Sequence, residues 1–462
     1  MPNAALREML SKVGWSARAL VREVNAHLVA RGHDALDLTT GCHWLRGTRP
    51  RDAATASAVA AVLGHALDRD VRIEHLWPAL GGASAPTASA VSGLLGPWTA
   101  TGAVAVAHST ATGTPNERAA LRAARGSDLI TSALDGLTPM PGAGISGSGR
   151  DRLDPPMLTM LERRLAELRR LDDQLGGGPL SQRLINAELA TVLDFLRFAR
   201  YNGPTGARLL RLSAGLAQLA AWTAFDADNA GAAQRGHLLA IRLARAAKDD
   251  IAATNSLGML AYQSAMTNNP SDAVRLAEAA VAHTRRTCPT TRARAHGRLA
   301  TAHATAGNLY AYRLASDTAR ELLAKRDPGD APPSLYYLTP DQLAAESGHA
   351  LLQLAITHGY RTHHLLGEAT AALTPLATQH HGGEFLRSSV LHGSYLVHAH
   401  LGRRDIESAA RTAAALAHRI PNIQSRRCRT LLDGVRTALA RRRSSVWADE
   451  AVDVLDKALS TA

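Results

Sequence analysis

The chain has 462 residues, of which 46% are hydrophobic, 20% charged and only 4% aromatic; this is too long for one ordinary core and fits a globular protein of two to four units. The abundance of alanine and scarcity of aromatics disfavour sheets, because strands draw on β-branched and aromatic side chains while alanine is the strongest helix former. A formal net charge of +12 permits contact with nucleic acid, yet residues 1–79 hold ten Lys/Arg against eight Asp/Glu, so such contact must rest on local geometry and not on bulk charge.

The opening MPNAALREMLSKVGW lacks the basic start and apolar run of a signal peptide. No uncharged apolar run reaches the ~18 residues of a membrane span, so no membrane association is expected. Cys42, Cys288 and Cys428 are odd in number, widely spaced and outside any C-x-x-C pattern, which points to a reducing compartment, the cytoplasm.

Residues 3 to 77 break into five short helical pieces: 4–13, 16–28, 39–46, 52–67 and 73–77. Ser16 follows Gly14 as an N-cap, and SARALVREVN places Leu20, Val21 and Val24 on one face. The third piece carries an unusual concentration of polar chemistry, DLTTGCHWLRGTRPR (37–51). On a short helix from Thr39, Trp44 turns inward while Thr40, His43 and Arg46 project outward, and Gly47 stops the helix. Hydroxyl, imidazole and guanidinium groups on one face donate to base edges and phosphates, with Arg49 and Arg51 flanking Pro50 as backbone charge contacts.

The segments GWSARALVREVN, TTGCHWLRGTRPR and VAAVLG…DVRIEHLWP resemble the lambda-repressor-like (XRE) helix-turn-helix family, in the form that opens many actinobacterial regulators. The resemblance covers about 80 residues. It implies an interface with double-stranded DNA at Ser16, Arg18, Thr39, Thr40, Cys42, His43, Arg46, Arg49 and Arg51. Gly41 stands where that family usually has an aliphatic core residue, and AHLVARGHDALDL lengthens the turn before the third helix.

Composition shifts after LWPALGG. Residues 80–155 are rich in Gly, Ala, Ser, Thr and Pro and read as a flexible linker region, with some order near Leu94, Leu95 and Trp98 and low-amplitude helical pattern over NERAALRAARGSDLITSALDGL. From residue 156 onward nearly everything is helical by pattern. LLRLSAGLAQLAAWTAFDADNAGAAQRGHLLAIRLARAAKD aligns with IAATNSLGMLAYQSAMTNNPSDAVRLAEAAVAHTRR and TRARAHGRLATAHATAGNLYAYRLASDTARELLAKR, and two looser copies follow over 342–378 and 384–420. Amphipathic helix pairs recurring every ~36 to 45 residues must stack to bury their faces, which makes 156–462 an α-solenoid. The fold class expected is all-α: a small five-helix domain and a helical-hairpin array.

The repeat resembles the tetratricopeptide repeat, with small residues such as Gly258, Ala261 and Ala273 at the helix crossings, and an insertion at RDPGDAPPSLYYLTP. Trp222, Asn255, Tyr262, His296 and Tyr312 lie on repeat helices and together are the candidates for an effector groove taking a peptide, small molecule or protein. The basic segment RRCRTLLDGVRTALARRRSS reads as a solvated cap on the array. The histidines at 363–364, 380–381, 392, 398 and 400 have no ligand-spaced partners, so no metal is expected. No phosphate loop, nucleophile elbow, zincin motif or dinucleotide fingerprint is present, so neither an enzyme nor a cofactor is expected.

The whole arrangement looks like a family of cytoplasmic transcriptional regulators of filamentous actinobacteria, which implies a role in development or secondary metabolism. One small domain makes few base contacts, so a homodimer is expected. The competing expectation is an interaction scaffold whose N-terminal domain no longer binds DNA.

Overall fold

A computed structural model describes residues 3–29, 34–50, 52–67, 71, 73–77, 88–94, 98–138, 140, 145–327, 329, 331–359, 363–378, 385–442 and 444–460. Among the described residues the fold is all-α, with a two-residue antiparallel pairing of β1 (Gly147–Ser148) with β2 (Arg200–Tyr201). It divides into two compact units, residues 1–88 with 124–128, and residues 89–123 with 129–462.

The first unit contains α1 (Ala4–Val13), α2 (Ala17–Val29), α3 (Thr40–Leu45), α4 (Ala53–Ala66) and α5 (Ile73–Leu76), close to the boundaries read from the sequence. Its core joins Leu6 and Leu10 of α1, Leu20, Val21 and Val24 of α2, Trp44 of α3 and Val59 and Leu63 of α4. Trp44 meets Trp77 edge to face at 6.0 Å between ring centroids, a favoured aromatic geometry. Asn3 ties the entry of the chain to this core: its Oδ1 caps α1 at the Leu6 N–H, its Nδ2 donates to the Leu76 carbonyl, and its backbone N–H donates to the Leu45 carbonyl.

Gly41 has a steric reason that the family resemblance hides. It is buried, and a Cβ built there would lie 2.3 Å from the Ala17 carbonyl oxygen and 2.9 Å from Val21 Cγ2. The absent side chain lets α3 pack directly on the first turn of α2. The longer connection is also held: Asn25 Oδ1 accepts from the Leu36 N–H and Nδ2 donates to the Leu36 carbonyl, both at 2.8 Å.

In the second unit the segment expected as a flexible linker is, over most of its described residues, folded. α6 (Ala100–Thr112), α7 (Pro115–Ala119) and α8 (Gly126–Asp135) lie within it, and α6 packs against α10 (Pro179–Phe198) and α12 (Ala230–Ala246). Ala100, Ala103, Val104, Ala107 and Ala111 form the buried face of α6. A face built almost entirely of alanine has too little contrast with the Thr, Ser and Gly opposite to show a helical period, and that is why composition alone suggested a linker. Polar contacts complete the attachment. Arg242, wholly buried on α12, donates to the Leu94 carbonyl and to the Ser132 carbonyl at 3.0 Å and lies 4.5 Å from the Trp98 ring centroid. Arg235 donates to the carbonyls of Ala90 and Ser92 and to Thr110 Oγ1.

The rest of this unit is the expected array of helical hairpins. α9 (Pro155–Leu175) packs chiefly on α11 (Gly203–Asp226) and α19 (Leu386–Gly402), and α10 on α11. Then α11 (Gly203–Asp226) pairs with α12, α13 (Asp250–Met266) with α14 (Pro270–His283), and α15 (Pro289–Thr305) with α16 (Leu309–Ala324). α17 (Pro340–His358) and α18 (His363–Thr378) follow, then α19 (Leu386–Gly402) with α20 (Ile406–Ala417), and finally α21 (Arg426–Ala440) with α22 (Val446–Ser460). The basic C-terminal stretch is therefore a further hairpin and not a single cap, and its buried Cys428, Leu432, Val435 and Leu439 face the α19–α22 core.

One backbone device recurs at the turns. Asp228, Lys248, Asn268, Gly307 and Arg404 have positive φ, and in each case the next residue, Asn229, Asp249, Asn269, Asn308 or Asp405, donates its N–H to a carbonyl five residues back. That same residue begins the following helix, and the side chains of Asn229, Asp249, Asn308 and Asp405 accept from a first-turn N–H. A left-handed residue followed by Asn or Asp thus closes one helix and caps the next.

Not all small residues act as expected. At Gly258 an added Cβ would make only ordinary contact with Arg298 Cγ at 3.5 Å. Replacing Asn308 by Ala removes its cap, and the unfolding free energy is expected to fall by about 1 kcal/mol in denaturant titration. Gly41→Val forces α3 from α2; it is expected to cost about 1–3 kcal/mol and to speed hydrogen exchange in α3, while Gly258→Ala leaves exchange there unchanged.

Candidate functional site

Two places gather polar side chains that the packing does not consume: the exposed face of α3 and an interior pocket of the helical array. On α3, His43 and Arg46 are exposed, Thr40 and Cys42 half-buried, and Trp44 fully inside. Arg49 is exposed beyond the helix, and Arg51 lies outside the described residues. At the start of α2, Ser16 and Arg18 are exposed; Ser16 Oγ accepts from the Ala19 N–H at 3.1 Å, so Ser16 is an N-cap.

Thr39 differs from its expected role. Its hydroxyl donates to Asp37 Oδ1 at 2.5 Å and its N–H donates to the same oxygen at 2.7 Å, so the group expected to reach a base is held locally. Those two hydrogen bonds, side chain first, keep Asp37 below the usual carboxylate range, with smaller help from His43 and Arg18. An ionised carboxylate therefore stands beside the cations of α3.

The interior pocket arises because the array closes on itself. The inner helices contact one another in succession, α11 to α13, α15, α17, α19 and α21, and α21 contacts α11 again. The loop after α9 threads through the closure: a Cβ at Gly177 would sit 2.2 Å from the Thr223 carbonyl oxygen, while the Gly177 N–H donates to Asp226 Oδ2 and the Gln424 N–H to the Leu175 carbonyl. Ser425 Oγ donates to Asp226 Oδ1 at 2.8 Å.

At one end of the pocket Arg387 of α19 faces three carboxylates, Asp172 at 3.4 Å, Asp173 at 3.7 Å and Asp226 at 3.8 Å. Burial pushes Asp172 up to about 7 against the opposing pull of Arg387, and burial also raises Asp173, which accepts from the Tyr336 hydroxyl. At the other end Arg294 donates to Glu346 through Nη1 and Nη2, Arg298 reaches the same carboxylate at 3.5 Å, and Gln342 donates to it at 3.0 Å. Burial disfavours the Glu346 carboxylate, but the two arginines outweigh it and hold the group far below its ordinary range. Trp222 and Tyr262, 6.1 Å apart, line the wall between the ends, and the pocket encloses about 100 Å³.

Of the candidates taken from repeat position, Trp222, Asn255 and Tyr262 line this pocket. Tyr312 does not: it is buried in the packing between α15, α16 and α17, and its hydroxyl lies 3.4 Å from the Ser347 carbonyl. His296 also lies off the pocket, half-buried on α15. Missed from sequence were Arg298, Glu346, Arg387 and the Asp172–Asp173 pair, together with Tyr336 from the insertion in the fourth repeat. The one legible signal was Arg294 and Arg298, one turn apart on α15. Arg427, read as solvated, donates instead to the Tyr262 hydroxyl at 2.6 Å.

His380 and His381 lie outside the described residues; His392 Nδ1 is hydrogen-bonded to His349 Nε2 at 3.0 Å, and among the described residues no group of three or more metal-ligating side chains occurs. Burial drives His392 down to about 4 and His349 well below the usual value, so both rings are neutral. Among the described residues no helix is long and apolar enough to cross a membrane.

Fold and sites together define an all-α protein with a five-helix domain and a helical-hairpin array. Residues 6–76, spanning those five helices, match the family model described as the SP15 N-terminal domain. No curated protein matches the chain.

Because Asp172 holds its proton more tightly folded than unfolded, its contribution is full below the ordinary value of 3.8 and is lost as pH rises through about 7. Asp172→Asn, which cannot ionise, is therefore expected to gain about 1–3 kcal/mol relative to wild type between pH 4.5 and pH 8 in paired denaturant titrations. A pH-independent difference would show that Asp172 is ionised throughout.

Proposed function

We propose that the chain is a sequence-specific DNA-binding transcriptional regulator whose helical array senses an effector in its interior pocket. The observation that carries this reading is the construction of α3. Gly41 seats it on α2 and Trp44 pins it from behind, leaving His43 and Arg46 outward with Thr40 beside them. A short helix so held presents donors to the major groove, and Arg49 and Arg18 supply phosphate contacts on either side. Function as a homodimer follows from the small number of base contacts one such domain makes. The likeness to actinobacterial regulators extends the proposal to development or secondary metabolism.

Asp37 favours a second reading, an interaction scaffold. It engages Thr39 and places negative charge beside the helix, which weakens attraction to phosphates while leaving the array free to bind proteins.

Titration of the full chain with its own upstream DNA at several salt concentrations separates the two. A regulator gives binding that falls steeply with salt; Arg46→Ala and His43→Ala each cost about 1–3 kcal/mol, and Arg49→Ala reduces the salt slope by about 1. Absent or salt-insensitive binding, or variants that bind as wild type does, supports the scaffold instead.

A further inference from the structure

A second cavity lies on the other side of α11 from the interior pocket. Gln218 and Trp222 of that helix line the pocket, whereas Ala217, Ala220, Ala221 and Ala224 line a cleft of about 1070 Å³ between α10, α12 and the α6–α7 segment. This volume stands at the upper limit of the roughly 300–1000 Å³ that houses small-molecule ligands. Short side chains leave the room: Ala107 and Ala111 face the cleft from α6, and Ala187 and Ala190 from α10, with Leu189 and Leu239 among them. No aromatic ring is among the described residues that line it, so a ring-shaped ligand finds no stacking partner, while an alkyl chain needs only close apolar contact.

The neutral polar side chains of the walls are engaged with the protein. Gln182 donates to the Gly177 carbonyl, Asn186 to the Gln182 carbonyl, and Thr110 and Thr112 to carbonyls one turn back in α6. Asn229 caps α12 and donates to the Arg118 carbonyl, and Thr114 caps α7. The charge, by contrast, is one-sided: Arg118, Arg122, Arg183 and Arg426 line the cleft against a single carboxylate, the exposed Asp228. Arg183 and Arg426 are exposed and have no ion-pair partner among the described residues. Arg118 donates to the carbonyls of Ala111 and Gly113, and burial lowers it from its ordinary value against a weaker pull from Glu117, whose carboxylate accepts from Thr114.

These cations flank one end of the cleft. The starts of α10 and α21 meet the end of α11 there, through the Gly177 N–H and Ser425 Oγ that both donate to Asp226, and the bond from Asn229 brings Arg118 to the same turn. Arg426 is the first residue of α21, and Arg183 lies in the second turn of α10. The cleft thus joins an apolar body to a cationic mouth.

We propose that this cleft binds a single-chain amphiphile, its alkyl tail along the alanine walls and its anionic head, a carboxylate or a phosphate, at Arg183 and Arg426. The site shares no lining residue with the interior pocket and none with α3, so it rests on neither the effector reading of that pocket nor the DNA-binding reading.

Calorimetric titration of the full chain with alkyl carboxylates and alkyl phosphates of increasing chain length, each below the concentration at which it forms micelles, tests this. Saturable one-to-one binding is expected, with affinity rising about threefold per added methylene. Alkyl alcohols and alkyltrimethylammonium ions of matched length are expected to bind more weakly by about tenfold or more. The head that binds more tightly, carboxylate or phosphate, supports the proposal and identifies the source as a fatty acid or a phosphorylated lipid. Arg183→Gln combined with Arg426→Gln, at two exposed positions, is expected to abolish the preference for the anion while keeping the dependence on chain length. Ala220→Phe, checked for folding by circular dichroism, is expected to abolish the dependence on chain length. If that variant does not fold, the ligand series on the wild-type chain still decides. No binding below the micellar concentration, affinity independent of chain length, alcohols bound as tightly as acids, or an anion preference unchanged in the double variant overturns the proposal. None of these outcomes bears on binding of DNA by α3.

Discussion

The second unit depends on one buried guanidinium. Arg387 reaches from α19 to carboxylates on the end of α9 and the end of α11, and so joins helices more than 150 residues apart in the chain. Its Nε also donates to the Asp172 carbonyl. Desolvating such a group is costly, and that cost is offset only while its partners stay in place; removing one leaves charge stranded in a low-dielectric interior. The knot therefore specifies where the array closes, and with it the existence of an interior pocket.

Closure also explains features that look unrelated. The three glycines after α9 are needed because their loop runs against the Thr223 backbone and Gln424, where side chains have no room. The raised Asp172 and Asp173 follow first from burial in that closure, which outweighs the pull of Arg387; at Asp172 the neighbouring Asp226 and Asp173 add to it.

How much of the sites was legible differs between the units. The α3 face was readable because its determinants are local: Trp44, His43 and Arg46 fall on opposite sides of one short helix, and the helix period assigns them. The hydroxyl of Thr39 is held by Asp37 only two residues away, a turn contact that the period does not encode. Trp222, Asn255 and Tyr262 line the pocket because they lie on the inner helices, whereas Tyr312 belongs to an outer helix and packs into the core. Arg427 was read as a solvated charge and Arg387 was not singled out, since nothing near them in the chain discloses the aromatic and acidic partners they meet.

The sequence by itself determined the helices, their turns and the repeat, because these depend on residues within a few positions: the left-handed residue followed by Asn or Asp, the apolar periodicity, the caps. It also determined the split between a small first domain and the array. Only the tertiary structure decided that residues 89–123 and the described residues from 129 to 138 belong with the array, that Gly41 is a point of close approach, and that the last hairpin returns to α11. Each of those rests on contacts between segments far apart in the chain, where alanine faces of low contrast and buried arginines make their pairing through three-dimensional fit, which leaves no periodic trace in the order of residues.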